Sequence, residues 1–128
     1  MTDIKTLNDN FRKTFIGGRV MLTSGIRAKT QDEIAEILEK VRSFDNFTTA
    51  NDPYGEHDFG SFDYKGQKIF WKIDYYDKNM QYLSEDPADA SKTIRTLTIL
   101  LAEEYWYNFI NYSNDKVQNL AYFDWIIV

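Results

Sequence analysis

Apolar side chains recur at three- and four-residue steps in two early stretches, the spacing that gathers them on one face of an α-helix. Ile4, Leu7, Phe11 and Phe15 form the first stripe, and Gly17-Gly18 ends it, because glycine enters the left-handed region at little cost. Arg19–Thr23 reads as a short strand closed by Ser24-Gly25. Ile34, Ile37, Leu38, Val41 and Phe44 form the second stripe, and Thr30 and Glu33 precede it. Those two stand at the spacing of a capping box, which predicts a helix starting at Thr30.

The period then changes. After the turn-rich Thr48–Gly55, strands are predicted over His57–Tyr64, Gln67–Tyr76 and Met80–Leu83. Lys65-Gly66 joins the first two as a tight hairpin turn, and Asp77-Lys78-Asn79 leads into the third. In the middle strand Ile69, Trp71, Ile73 and Tyr75 alternate with Lys68, Phe70, Lys72, Asp74 and Tyr76. One face is therefore expected to pack on helices, the other to be polar apart from Phe70 and Tyr76. Asp86-Pro87-Ala88-Asp89 has the chemistry of a helix start. Ile94, Leu97, Leu101 and Tyr105 follow at helical steps, predicting a long helix Pro87–Asn111. That helix would set Lys92 and Arg95 near its positive end and Glu103-Glu104 near its negative end, against the dipole. Leu120–Val128 reads as a last strand or a segment tucked against the core. The expected fold is α+β, an antiparallel sheet of three to four strands with two to three helices packed on one face. With no repeat or linker, residues 1–128 are expected to form a single domain.

Composition narrows the function classes. Hydrophobic residues make up 43% and aromatics 16% of the 128 residues, enough for a packed core at this size. There is no cysteine, which excludes disulfides, thiolate metal sites and a cysteine nucleophile. No apolar run approaches the roughly 18 residues that span a bilayer. Met1–Lys5 lacks the basic-then-apolar order of a secretory signal, so the expectation is a cytoplasmic protein with no membrane partner. The net charge of −5 is concentrated: residues 51–90 hold nine acids against four lysines, and the rest of the chain is neutral. Such a field repels phosphate backbones and attracts basic surfaces or cations. Free nucleic acid is therefore a poor partner and is not expected as one, and interspersed Lys65, Lys68 and Lys72 argue against an acidic mimic of DNA.

The candidate chemistry sits in Asn51-Asp52-Pro53-Tyr54-Gly55-Glu56-His57-Asp58-Phe59-Gly60, which holds the chain's one histidine. Asn-Asp-Pro before Tyr-Gly is turn chemistry, and Gly60 within a strand marks a bulge or a close backbone approach. Three readings compete. The segment is a structured turn whose acids cap amides and whose His57 bonds a carboxylate or carbonyl. Alternatively it is a binding surface, formed by Asp52, Tyr54, Glu56, His57 and Asp58 with Phe70, Asp74, Tyr76 and Asp77 as aromatic anchors and polar rim. In the third reading Glu56, His57, Asp58 and Asp74 hold a divalent metal, or His57 and Glu56 carry acid–base catalysis. Strand alternation sets His57 opposite Glu56 and Asp58, and no second histidine completes a zinc site. No phosphate loop or serine-elbow motif is present.

Leu7-Asn8-Asp9-x-Phe11-Arg12, Thr14-Phe15-x-Gly17-Gly18-Arg19-Val20 and the Asn51–Gly60 segment resemble the family called domain of unknown function 3768. So do Phe70-Trp71-Lys72-Ile73-Asp74-Tyr75-Tyr76-Asp77, Asp86-Pro87-Ala88-Asp89 and Leu97-Thr98-Ile99-x-Leu101-Ala102-Glu103-Glu104-Tyr105. The resemblance covers residues 4–105 and leaves 106–128 as a C-terminal extension. It implies a small protein of bacteria, their phages and plasmids, without an assigned activity. The expected function is a non-enzymatic acidic binding protein of phage or mobile-element type, an anti-defence inhibitor of a host protein complex. A protein with a basic surface is the expected partner, no cofactor is called for, and Leu120–Val128 is a candidate homodimer edge. The alternative is a metal-dependent enzyme using Glu56, His57, Asp58 and Asp74.

Overall fold

The computed structural model describes residues 3–105 and the backbone of residues 124–126. Helix α1 (Ile4–Thr14) starts on Asp3, whose side chain accepts from the Thr6 amide. It ends with Phe15 itself in the left-handed region at φ 59°, ahead of Gly17 at φ 105°. Strand β1 (Gly18–Leu22) follows, then a short helix α2 (Ser24–Arg27) where the sequence suggested only a turn. Helix α3 (Gln31–Arg42) carries the expected capping box between Thr30 and Glu33. Strands β2 (Phe59–Tyr64) and β3 (Gln67–Tyr76) form the expected hairpin. Lys65 and Gly66 both take positive φ, 47° and 81°, the type I′ geometry whose twist matches the flanking strands.

The long helix expected over Pro87–Asn111 is corrected by the structure. A single 3₁₀ turn (Ala90–Lys92) leads into strand β4 (Ile94–Leu101). Seven consecutive residues of β4, Arg95 to Leu101, are buried, so both faces of the strand are covered. A strand of that kind reads as a continuous apolar run without alternation, and its leucines fell by chance at helical steps. The Asp-Pro helix signal is spent on turns. Asp86 accepts from the Ala88 amide, and Asp89 accepts from the amide and hydroxyl of Ser91. Helical backbone begins only at residue 102, so Glu103 and Glu104 lie in a first turn, where the dipole favours acids. Glu104 accepts from the Leu101 amide (2.9 Å), the Gly25 amide (3.1 Å) and the Thr23 hydroxyl (2.6 Å), tying the end of β4 to the start of α2.

The sheet order is β2-β3-β4-β1-β5, with β5 (Asp124–Ile126) antiparallel to β1. Because β4 lies between β3 and β1 and runs parallel to β1, the sheet is mixed rather than antiparallel throughout. The strand expected at Met80–Leu83 reduces to one bridge between Tyr76 and Leu83. Only residues 124–126 of the Leu120–Val128 run are described; the extension 106–123 and residues 127–128 lie outside the described residues.

The core forms on the face carrying Ile69, Trp71, Ile73, Leu97, Ile99 and Val20, against Phe11, Phe15, Ile37 and Val41 from the helices. The second face is not the polar one expected: Tyr76, Thr96, Thr98, Leu100 and Met21 are buried there too. Gly60 is a close approach rather than a bulge. A Cβ at that position would stand 2.5 Å from the Trp71 indole nitrogen and 2.8 Å from the Phe44 ring.

Candidate functional site

The Asn51–Gly60 turn is built by its own side chains. The Thr48 amide donates to the Asn51 carboxamide oxygen at 2.8 Å, and the Asn51 amide returns a bond to the Thr48 hydroxyl at 3.3 Å. The Asp52 amide bonds the Thr48 carbonyl and the Gly55 amide bonds the Asp52 carbonyl, with Gly55 at φ 67°. The chain then enters His57 at φ 55°, uncommon for a residue other than glycine. That conformation delays the start of β2 to Phe59. The His57 amide is held by the Asp52 carboxylate at 3.1 Å.

The imidazole has a carboxylate facing each ring nitrogen and an aromatic ring on one face. Its Nδ1 faces both oxygens of Asp9 at 2.9 and 3.1 Å, and its Nε2 lies 3.6 Å from Asp52 Oδ2. One ring face stacks on Phe47 at 3.7 Å and 3°. Asp9 in turn accepts from Arg12 at 3.0 Å. Arg12 is 1% exposed, donates to the Val41 and Phe44 carbonyls, and lies over the rings of Phe47 and Trp71. Burial would push the Asp9 carboxyl up, but the hydrogen bonds from His57 and Arg12 outweigh it and hold the group below its ordinary value. Its contribution to stability is thus present above the ordinary aspartate range and fades as pH falls through the lowered value.

A second polar chain runs beside the first. Buried Asn8 donates to the Glu56 carbonyl at 3.0 Å and the Tyr75 hydroxyl at 2.8 Å, and accepts from Arg95 Nε at 2.9 Å. The Tyr75 hydroxyl donates to the Glu56 carboxylate at 3.0 Å, and burial, the largest cause, pushes its phenol up. Arg95, itself buried, donates to the Pro87 carbonyl and lies over the Tyr75 ring.

The residues expected to form the site separate onto two faces. Glu56 bonds Tyr75, and His57 lies between Asp9 and Asp52, against α1. Phe70, Asp74 and Tyr76 alternate onto the face opposite Tyr75. There Phe70 packs on Phe59 and Tyr105, and Asp74 is held by Lys72 at 2.8 Å. Tyr76 is 1% exposed, which corrects its reading as a surface anchor. Asp77 caps a turn through the Gln81 amide, Asp52 is largely buried, and Tyr54 is 89% exposed at the tip. Among the described residues no three His, Asp or Glu side chains are arranged to hold a metal ion.

Asn8, Asp9 and Arg12, half of the clamp, were not singled out as site residues. Their signal was present in the polar Asn8-Asp9 pair and Arg12 beside the Phe11 core position, on a helix that otherwise needs only one apolar stripe.

Asp58 is the strained member. Burial first, then the carboxylates of Glu56, Asp52 and Asp74, push its carboxyl above the ordinary value. A raised acid stabilises the fold below the unfolded value and loses that contribution as pH rises through the folded one. Asp58→Asn is therefore expected to raise the melting temperature at pH 7, with the gain vanishing at pH 3. Thermal melts at the two pH values check this.

An α+β domain with a clamped acidic turn is thus the class that the fold and the site define. The chain belongs to the family described as "Protein of unknown function (DUF3768)", whose family model matches residues 22–104. That stretch contains the turn and strands β2 to β4, while α1 precedes it. Comparison with curated proteins and comparison with solved structures returned no match.

Proposed function

We propose that this chain is a non-enzymatic binding protein that presents the clamped acidic turn to a basic surface of a protein partner. One observation carries the reading: both ring nitrogens of His57 face carboxylates and one ring face is covered by Phe47. A general base needs a nitrogen within reach of its substrate, whereas here Nδ1 is bonded to Asp9 and Nε2 faces the buried Asp52 carboxylate. What the turn offers outward is Tyr54, 89% exposed. A rigid aromatic on a preorganised loop loses little entropy on binding. In the mobile-element setting that the family resemblance implies, a natural basic target is the nucleic-acid-binding face of a host protein complex. Occluding it would be an anti-defence activity.

The test must spare Asp52 and Glu56, which hold the turn, and uses Tyr54 instead. Fluorescence anisotropy with a labelled arginine-rich peptide is expected to show saturable binding that Tyr54→Ser weakens by about tenfold. Binding unchanged by Tyr54→Ser would overturn the proposal.

A further inference from the structure

The net charge of the chain can be placed more narrowly than on residues 51–90. Residues 51–58 contain three acids (Asp52, Glu56, Asp58) and no lysine or arginine. Residues 77–92 contain four acids (Asp77, Glu85, Asp86, Asp89) against Lys78 and Lys92, and the remainder of the chain is neutral. The two loops therefore carry the entire excess of −5.

Strand register brings them to one end of the sheet. β3 ends where β4 begins, at Tyr76 opposite Ile94, and the loop 77–92 leaves from that end. The 51–58 turn enters the sheet beside it, where the Ile73 amide bonds the Asp58 carbonyl. A continuous polar chain couples them: Glu56 to Asn8, Asn8 to Arg95, and Arg95 to Pro87. The Ser84 amide also bonds the carbonyl of Tyr75, whose hydroxyl bonds Glu56.

The same end carries exposed apolar side chains. Tyr82 and Leu83 are 69% and 64% exposed, on a loop fixed by the bond from the Asp77 amide to the Tyr82 carbonyl. Ile16, 77% exposed, stands two residues before Gly18, which pairs with Arg95 at this end of β4. With Tyr54 these are the exposed large hydrophobics of the described residues. Tyr82 and Leu83 are adjacent, so they form an exposed apolar pair beside the acids of the same loop, the composition of an interaction site.

We infer that the two loops form one composite docking surface for a protein segment that is both basic and amphipathic, its arginines or lysines flanking aliphatic side chains that seat on Tyr82 and Leu83. The inference rests on the function proposed above and adds the second loop and the apolar half of the partner. Charge complementarity selects the basic component and disfavours a phosphate backbone. The exposed Tyr82-Leu83 pair selects an aliphatic component that a purely basic polymer lacks.

The test titrates the full chain with two labelled peptides, one patterned with arginine and leucine at helical spacing, the other with each leucine replaced by serine. The unaltered chain is expected to prefer the leucine peptide by about tenfold. Tyr82→Ser/Leu83→Ser, at two exposed side chains, is expected to remove that preference, with the circular dichroism spectrum confirming the fold. A preference that survives the double substitution, or none in the unaltered chain, overturns the inference. If Tyr54→Ser weakens binding of both peptides while the double variant binds as the unaltered chain does, the function stands and the composite surface falls. If neither peptide binds, both fall.

Discussion

Arg12→Ala is expected to destabilise the domain by about 3–5 kcal/mol, the range for removing one partner of a buried charged network. The guanidinium serves the Val41 carbonyl at 3.1 Å, the Phe44 carbonyl at 3.0 Å and the Asp9 carboxylate at 3.0 Å, while lying over Trp71 and Phe47. Truncation strands two carbonyls and a carboxylate and opens a void beside two aromatic rings. Arg12→Lys is expected to recover little, because a point ammonium cannot reproduce a planar fork with three separate acceptors. Urea denaturation followed by Trp fluorescence measures both. A loss below about 1 kcal/mol for alanine would show that the network is not a structural centre.

Asn8→Ala is expected to cost about 2–4 kcal/mol, since each buried polar group left unpaired costs ~1–3 kcal/mol. The carboxamide is fully buried and serves Glu56, Tyr75 and Arg95 together. Its removal leaves Arg95 Nε without an acceptor, and Arg95 is a charge whose burial already lowers its pKa. Because Asn8 links the two acidic loops, this variant is also expected to increase exchange of the Glu56 and Pro87 region relative to β3, measured by hydrogen exchange on the folded population.

Elements whose signal is local were legible in the sequence. The two helix stripes, the Thr30–Glu33 capping box and the Lys65-Gly66 turn depend on residues within a few positions of one another, and all three are in the structure. β4 was not legible, because burial of both faces is a property of its neighbours and removes the alternation that identifies a strand. The mixed sheet followed from the same misreading: without β4 there is nothing for β1 to pair with in parallel. The site was half legible for a similar reason. Asn51–Gly60 stands out by composition, and one of the three readings of it had the histidine bond a carboxylate or a carbonyl. The partner Asp9 lies 48 residues away on α1, and no periodicity reports a contact across that separation. Strand alternation set His57 opposite Glu56 and Asp58. It could not foresee that His57 would sit at positive φ and turn its ring back toward α1.

The central claim is that His57 is a clamp whose work is to hold the acidic turn in a binding conformation. Hydrogen exchange of the Asp52 and Gly55 amides, compared between the unaltered chain and His57→Ala, tests it most directly. Both amides are bonded within the turn. The clamp predicts that they lose protection by at least ~10-fold in His57→Ala while the amides of β3 keep theirs, and that arginine-peptide binding weakens in parallel. Unchanged protection of Asp52 and Gly55 in that variant would contradict it.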